Sequence, residues 1–170
     1  SKWFEKKGGW QFTAPLLRFH RDKKIAALDG LLIAGGERII LRAPQIDLQP
    51  AFTLLSLTDQ LPENFRQWLV QASPTAQLSE VNLQGSRDGP WKGSVIVRDL
   101  NIEPAGMRPG LHGLHGRLQM DDKGGVFEVR PSSVTLVWPA GFRQNVDFNL
   151  KGNLAFWRDG ETWTLGSSAL

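Results

Sequence analysis

The stretch Asn145-Val146-Asp147-Phe148-Asn149-Leu150-Lys151-Gly152-Asn153-Leu154-Ala155-Phe156-Trp157 decides the fold class of this chain. Val146, Phe148, Leu150, Leu154 and Phe156 share one parity with Gly152, whereas Asp147, Asn149, Lys151 and Asn153 hold the other. Side chains along a strand point alternately to its two faces, so the pattern predicts a strand with one apolar and one wet face. A helix would set Asp147 and Lys151 among apolar neighbours, and the periodicity argues against it.

Working outward, the same unit recurs. Gly152–Phe156, a turn at Arg158–Glu161 and Thr162–Leu165 form one expected hairpin. Gly116–Met120, a turn at Asp121–Gly125 and Val126–Val129 form another, 36 residues earlier. Gly30–Ile33, Gly35-Gly36 and Ile39–Leu41 make a third copy with a shorter turn. Glycine pairs accept the positive φ that tight hairpins need, and Gly8-Gly9 marks a further one. Recurrence of a hairpin points to a sheet extended unit by unit.

Residues 51–73 break this style. Leu61, Phe65, Leu69 and Ala72 recur every three or four positions, which places them on one helical face. Pro62 suits a first helical turn, and Pro74 turns Ser73 away from helical geometry. Ala51–Leu57 reads as a shorter helical turn.

Composition supports a folded β protein. Apolar residues are 41% and charged residues 22% of 170, with 18 Gly and 10 Pro, a balance that rejects disorder and fits many short turns. The net charge of +3 is uneven: residues 1–45 hold nine Lys/Arg against four Asp/Glu, and the remainder eleven against thirteen. The basic N-terminal portion offers charge for phosphate head groups or nucleic acid, but scattered among apolar residues it reads first as a solvated face. The absence of cysteine rules out disulfides, thiol catalysis and thiolate metal sites. The longest apolar run, Leu31–Ala34, is far short of the roughly 20 residues of a spanning helix.

No catalytic constellation emerges. His112 and His115 lack the further converging ligands of a transition-metal site and read as polar positions in a turn. Asp121-Asp122 and Asp159-Gly160 are turn chemistry. Ser132-Ser133 lacks the glycine frame of a nucleophile elbow, and no phosphate loop or dinucleotide fingerprint occurs. The seven tryptophans, Trp3, Trp10, Trp68, Trp91, Trp138, Trp157 and Trp163, read as sheet and core packing rather than base-stacking platforms. The expectation is a non-enzyme without cofactor or metal, and without nucleic acid as partner.

Leu61-Pro62-Glu63-Asn64-Phe65-Arg66-Gln67-Trp68-Leu69 followed by Gln77-Leu78-Ser79-Glu80-Val81-Asn82-Leu83 resembles the YhdP branch of the AsmA-like envelope proteins. Pro109–Leu118 and Leu150-Lys151-Gly152-Asn153-Leu154-Ala155-Phe156-Trp157 carry the same resemblance, which is strongest over residues 51–170. The resemblance implies an internal, periplasmic fragment of a long protein held in the inner membrane by an N-terminal anchor outside this segment. It also implies a curved, repeating β-groove that carries phospholipid towards the outer membrane and supports that membrane's barrier.

The expected fold is therefore mainly β: a curved, twisted antiparallel sheet of repeated hairpins, an open groove, with one or two short α-helices around residues 51–73. Residues 1–50 form a hairpin segment, 51–76 a helical insertion and 77–170 a repeated hairpin segment, all within one continuous elongated domain. Leu118, Met120, Val134, Leu136, Val146, Phe148, Leu150, Leu154 and Phe156 are the expected groove lining for phospholipid acyl chains. The same residues would equally build the closed core of a structural or interaction domain without ligand. Strands left open at the two ends of the fragment predict edge-to-edge self-association.

Overall fold

Val146–Asp159, the strand expected from the deciding stretch, is one of ten in a single antiparallel sheet. The computed structural model describes residues 2–6, 8–21, 24–49, 63–86, 89–159 and 162–168. In chain order the strands are β1 (Lys2–Lys6), β2 (Gly9–Arg21), β3 (Lys24–Gly35) and β4 (Ile39–Asp47). Helix α1 (Glu63–Ala72) follows, then β5 (Thr75–Gly85), β6 (Trp91–Ile102), β7 (Gly110–Met120), β8 (Gly124–Val137), β9 (Val146–Asp159) and β10 (Thr162–Ser168). Each strand pairs with its sequence neighbours in the order β1 to β10. The first and last strands are paired on one side only, so the sheet is open. All three expected hairpins are present, as β3–β4, β7–β8 and β9–β10.

Helix α1 ends as the sequence suggests. Ser73 takes a left-handed φ of 38°, its N–H bonds the Leu69 carbonyl at 3.0 Å, and its hydroxyl donates to the Val70 carbonyl at 3.0 Å. Pro74 then forbids continuation. Leu69 and Ala72 are buried, and the Glu103 N–H, just past β6, donates to the Ala72 carbonyl at 2.8 Å. The expected turn at 51–57, and Leu61 and Pro62, lie outside the described residues, as does the side chain of Phe65.

The long strands are interrupted midway. Pro15 lies in β2 between the pairs Ala14–Leu31 and Leu16–Asp29, facing Gly30 of β3. Gly30 has φ +64°, and a Cβ there would lie 2.9 Å from the Pro44 ring of β4. Glu80 of β5 and Asp99 of β6 have φ of 53° and 49°, and the pairings shift beside both. Gly113 of β7 has φ 80°. In β8, Pro131 falls inside the shift between Val129 and Ser132. A Gly, Pro or left-handed residue in each of β2 to β8 thus draws a crease across the sheet. Bulges bend a strand and raise its twist, the usual device for curving a sheet.

These shifts also correct a sequence expectation. His112 and His115 lie within strand β7, not in a turn. Glycines and a leading proline made the stretch look like a connection, whereas its Gly113 is a bulge inside a strand.

Large side chains are packed on one side without being sealed. Among the described residues the largest fully buried side chain is no bigger than that of Val134. The accessible surface is 12050 Å², where a compact 19.0 kDa monomer would show roughly 8,400 Å².

Gly113→Ala puts a Cβ in the left-handed region and within 3.0 Å of the Ser133 carbonyl oxygen. The expected cost is about 1–2 kcal/mol, read as a lower denaturant midpoint with an unchanged slope.

Candidate functional site: a continuous apolar face

Directly paired residues of an antiparallel sheet lie on the same face, so the register can be followed across the strands. Starting at the β1 edge, Trp3 faces Phe12, Phe12 faces Ile33, Ile33 faces Leu41, and Leu41 faces Leu83. Leu83 faces Gly93, Gly93 faces Met120, Met120 faces Gly125, Gly125 faces Phe156, and Phe156 faces Leu165. This row crosses all ten strands without a polar side chain.

Further rows lie beside it. Val95, Leu118, Phe127 and Leu154 are paired in succession. So are Ile102, Leu111, Leu136 and Val146, while Val134 faces Phe148. Two packed clusters sit within this face. One joins Ala14, Leu31, Ala43, Ile46 and Val81, with Leu78 and Leu83 against them; the other joins Leu114, Val129 and Val134, with Phe127, Phe148, Leu150 and Leu154.

The bulges keep these side chains on one side. In β8, Phe127 and Val129 have odd numbers, whereas Val134 and Leu136 have even ones. Three positions from Val129 to Ser132 stand against two from Gly152 to Leu150, and the extra residue restores the facing. Strand β5 changes parity likewise at Glu80, from Leu83 and Val81 to Leu78 and Ala76.

All nine residues expected from the sequence fall in these rows or clusters. Val134 is fully buried; Leu118, Leu136, Phe148, Leu150, Leu154 and Phe156 are half-buried; Met120 and Val146 are 38% and 41% exposed. Sequence reading missed Phe127, Val129, Leu100, Leu111 and Leu114, which strict alternation cannot reach past a bulge. It also left out Phe12, Ile33, Leu41, Leu83 and Val95. A Gly, Pro or Asp inside an otherwise strand-like run is the signal that could have found the first group.

The opposite face is polar and holds the crease in place. Arg117 of β7 meets Glu80 of β5 at 3.2 Å, reaching across β6 at Ile96. Ile96, the direct cross-strand partner of Arg117, is buried on this face. The Asp99 N–H donates to His115 Nδ1 at 3.3 Å, while His115 Nε2 lies 3.3 Å from the Asp99 carboxylate. Asn101 accepts the Gly113 N–H at 2.9 Å and donates to the Asp99 carbonyl at 3.0 Å. His112 Nε2 is 3.1 Å from Glu103. Both histidines of β7 thus have a carboxylate neighbour that sequence spacing did not reveal. Among the described residues no group of three His, Asp or Glu is placed to hold a metal ion, and no helix is long and apolar enough to cross a membrane.

An open depression of about 690 Å³ lies at the hairpin ends of β5–β6 and β7–β8. Of the nine expected residues only Met120 and Phe156 line it; Gln84, Lys92, Gln119 and Val126, from the opposite face, are among the rest. It is a separate, mixed hollow beside the apolar rows.

The family model described as YhdP protein matches residues 1–170. No curated protein and no solved structure matches significantly.

Leu114→Ala removes a side chain that is 6% exposed within a packed cluster and should cost about 2–4 kcal/mol. Leu165→Ala, at 72% exposure, should change stability by less than about 0.5 kcal/mol. Urea unfolding of the two variants checks the contrast.

Proposed function

The chain belongs to the YhdP protein family, and on that premise we propose that its apolar face is a section of lipid groove. In this reading the segment is part of a periplasmic, inner-membrane-anchored, bridge-like protein. Its groove carries phospholipid between inner and outer membranes and thereby supports the outer-membrane barrier. The supporting observation is the unbroken apolar row running through all ten strands of an open sheet.

The physical logic needs no reacting group. Burial of a methylene is worth about 0.8 kcal/mol, so a phospholipid with some thirty of them meets a barrier of roughly 25 kcal/mol in water. A continuous apolar strip removes most of that barrier along its length. Ten strands at about 4.8 Å give a strip of roughly 50 Å. The chain supplies contact surface for acyl chains; no catalytic step, cofactor or nucleic acid enters this function.

The alternative, a closed structural domain without ligand, requires a second layer over these residues. All ten described strands lie in one sheet, which favours the groove. The free edges of β1 and β10 extend the same logic. Trp3, Phe4 and Leu165 on them are 60%, 53% and 72% exposed, and unpaired edges template further strands.

Native mass spectrometry of the chain purified from bacterial membranes should find co-purifying phospholipid. Phe148→Asp should abolish that retention and leave the far-ultraviolet circular dichroism unchanged; global unfolding instead would favour the closed core. Sedimentation should show association rising with protein concentration, and a strictly monomeric chain at high concentration would count against open edges.

A further inference from the structure

Two connections at the same end of the sheet share a sequence. Pro104-Ala105-Gly106-Met107-Arg108 joins β6 to β7, and Pro139-Ala140-Gly141-Phe142-Arg143 joins β8 to β9, 35 residues later. The order is the same, Pro-Ala-Gly, one large apolar residue, then arginine. In the first connection Ala105 and Arg108 exchange backbone hydrogen bonds of 3.2 and 3.1 Å around Gly106, whose φ is 61°. In the second, the Gly141 and Phe142 N–H groups both donate to the Trp138 carbonyl, at 2.9 and 2.8 Å.

The turns differ and the result is the same. Met107 is 76% exposed and Phe142 45%, with exposed Arg108 and Arg143 directly after them. The connections are tied together, since Trp138 Nε1 donates to the Met107 carbonyl at 3.0 Å and the Trp138 ring meets Phe142 edge-on at 5.6 Å.

Position adds meaning. The row Ile102, Leu111, Leu136 and Val146 is the last of the apolar face before these connections. Beyond that row each connection presents an exposed apolar side chain with an exposed arginine next to it. The hairpin tip of β7–β8 at the other end carries Asp121, Asp122 and Lys123, with Asp121 holding the Lys123 and Gly124 N–H groups at 2.8 and 3.0 Å. The β7–β8 tip thus pairs acidic with basic charge, whereas the two matching connections each carry an exposed arginine.

We infer that these two connections form a headgroup rim, in which Arg108 and Arg143 bind the phosphates of lipids whose acyl chains lie on the apolar face. The inference rests on the groove reading and adds to it an orientation: headgroups leave the groove at the β6–β7 and β8–β9 end. The two arginines stand two strands apart, about 9.6 Å, giving one phosphate position per hairpin. Guanidinium matches phosphate geometry through paired N–H donors, and Met107 and Phe142 meet the ester region between phosphate and tails. A protein partner fits less well, because two side chains fall far below the roughly 800 Å² per partner of a stable interface.

The test compares dioleoylphosphatidylglycerol with dioleoylglycerol, which has the same tails and no phosphate. The chain is loaded from detergent micelles of each, and bound lipid is counted by native mass spectrometry. The unaltered chain should prefer the phospholipid. Arg108→Ala with Arg143→Ala should lower that preference roughly three- to tenfold while dioleoylglycerol remains bound; Lys123→Ala should keep it. Preference surviving the arginine changes, or lost in Lys123→Ala, overturns the rim and leaves the groove standing. Inorganic phosphate binding the lipid-free chain as tightly as the phospholipid would make this a free-anion site and overturn it too. Failure to hold either lipid removes the groove reading, and the rim with it.

Discussion

Cross-strand facing is the constraint on which the rest of this structure depends. In an antiparallel sheet, each apolar side chain shares a face with its partner, and slipping one residue sends a whole strand's apolar set to the other side. The chain must hold that facing across ten strands while the long ones bend midway. It does so with bulges: an added residue beside Pro131 in β8 and another beside Glu80 in β5 return Val134 and Leu78 to the side occupied by Val129 and Val81. Curvature and facing are thus solved by the same irregularities, and neither could be changed without disturbing the other.

The polar face makes those irregularities affordable. Left-handed geometry at Glu80 and Asp99 costs of order 1 kcal/mol or more for a residue with a side chain. Arg117 engages Glu80, and His115 and Asn101 hold the backbone around Asp99. Residues that look like candidates for chemistry therefore serve as clasps on a bent sheet. That division of labour keeps the charged and histidine side chains of the crease on the face opposite the apolar rows. Openness has a stability cost, because half-buried Phe148, Leu150 and Phe156 gain only part of what a sealed core would give them.

Strand β9 was legible from its residues because it keeps one parity from Val146 to Phe156, with Gly152 standing where a side chain is absent. The three repeated hairpins were legible for a similar reason, since Gly35-Gly36 and Asp121-Asp122-Lys123 announce their turns. Strand β7 was not. Its Leu111–Gly116 half contains two glycines and two histidines and changes facing at Gly113, so neither alternation nor composition marks it as a strand. The helix end at Ser73-Pro74 was readable because proline acts locally.

The sequence by itself determined the local geometry: where strands alternate, where turns fall and where the helix stops, because these depend on neighbours a few positions apart. Only the tertiary structure decided which residues share a face. Met120 joins Gly93 and Gly125, and Trp3 begins a row that ends at Leu165, through nine successive pairings that together link positions far apart in the chain. Register across a bulge depends on the count of residues in both partners at once, and no single strand carries that information.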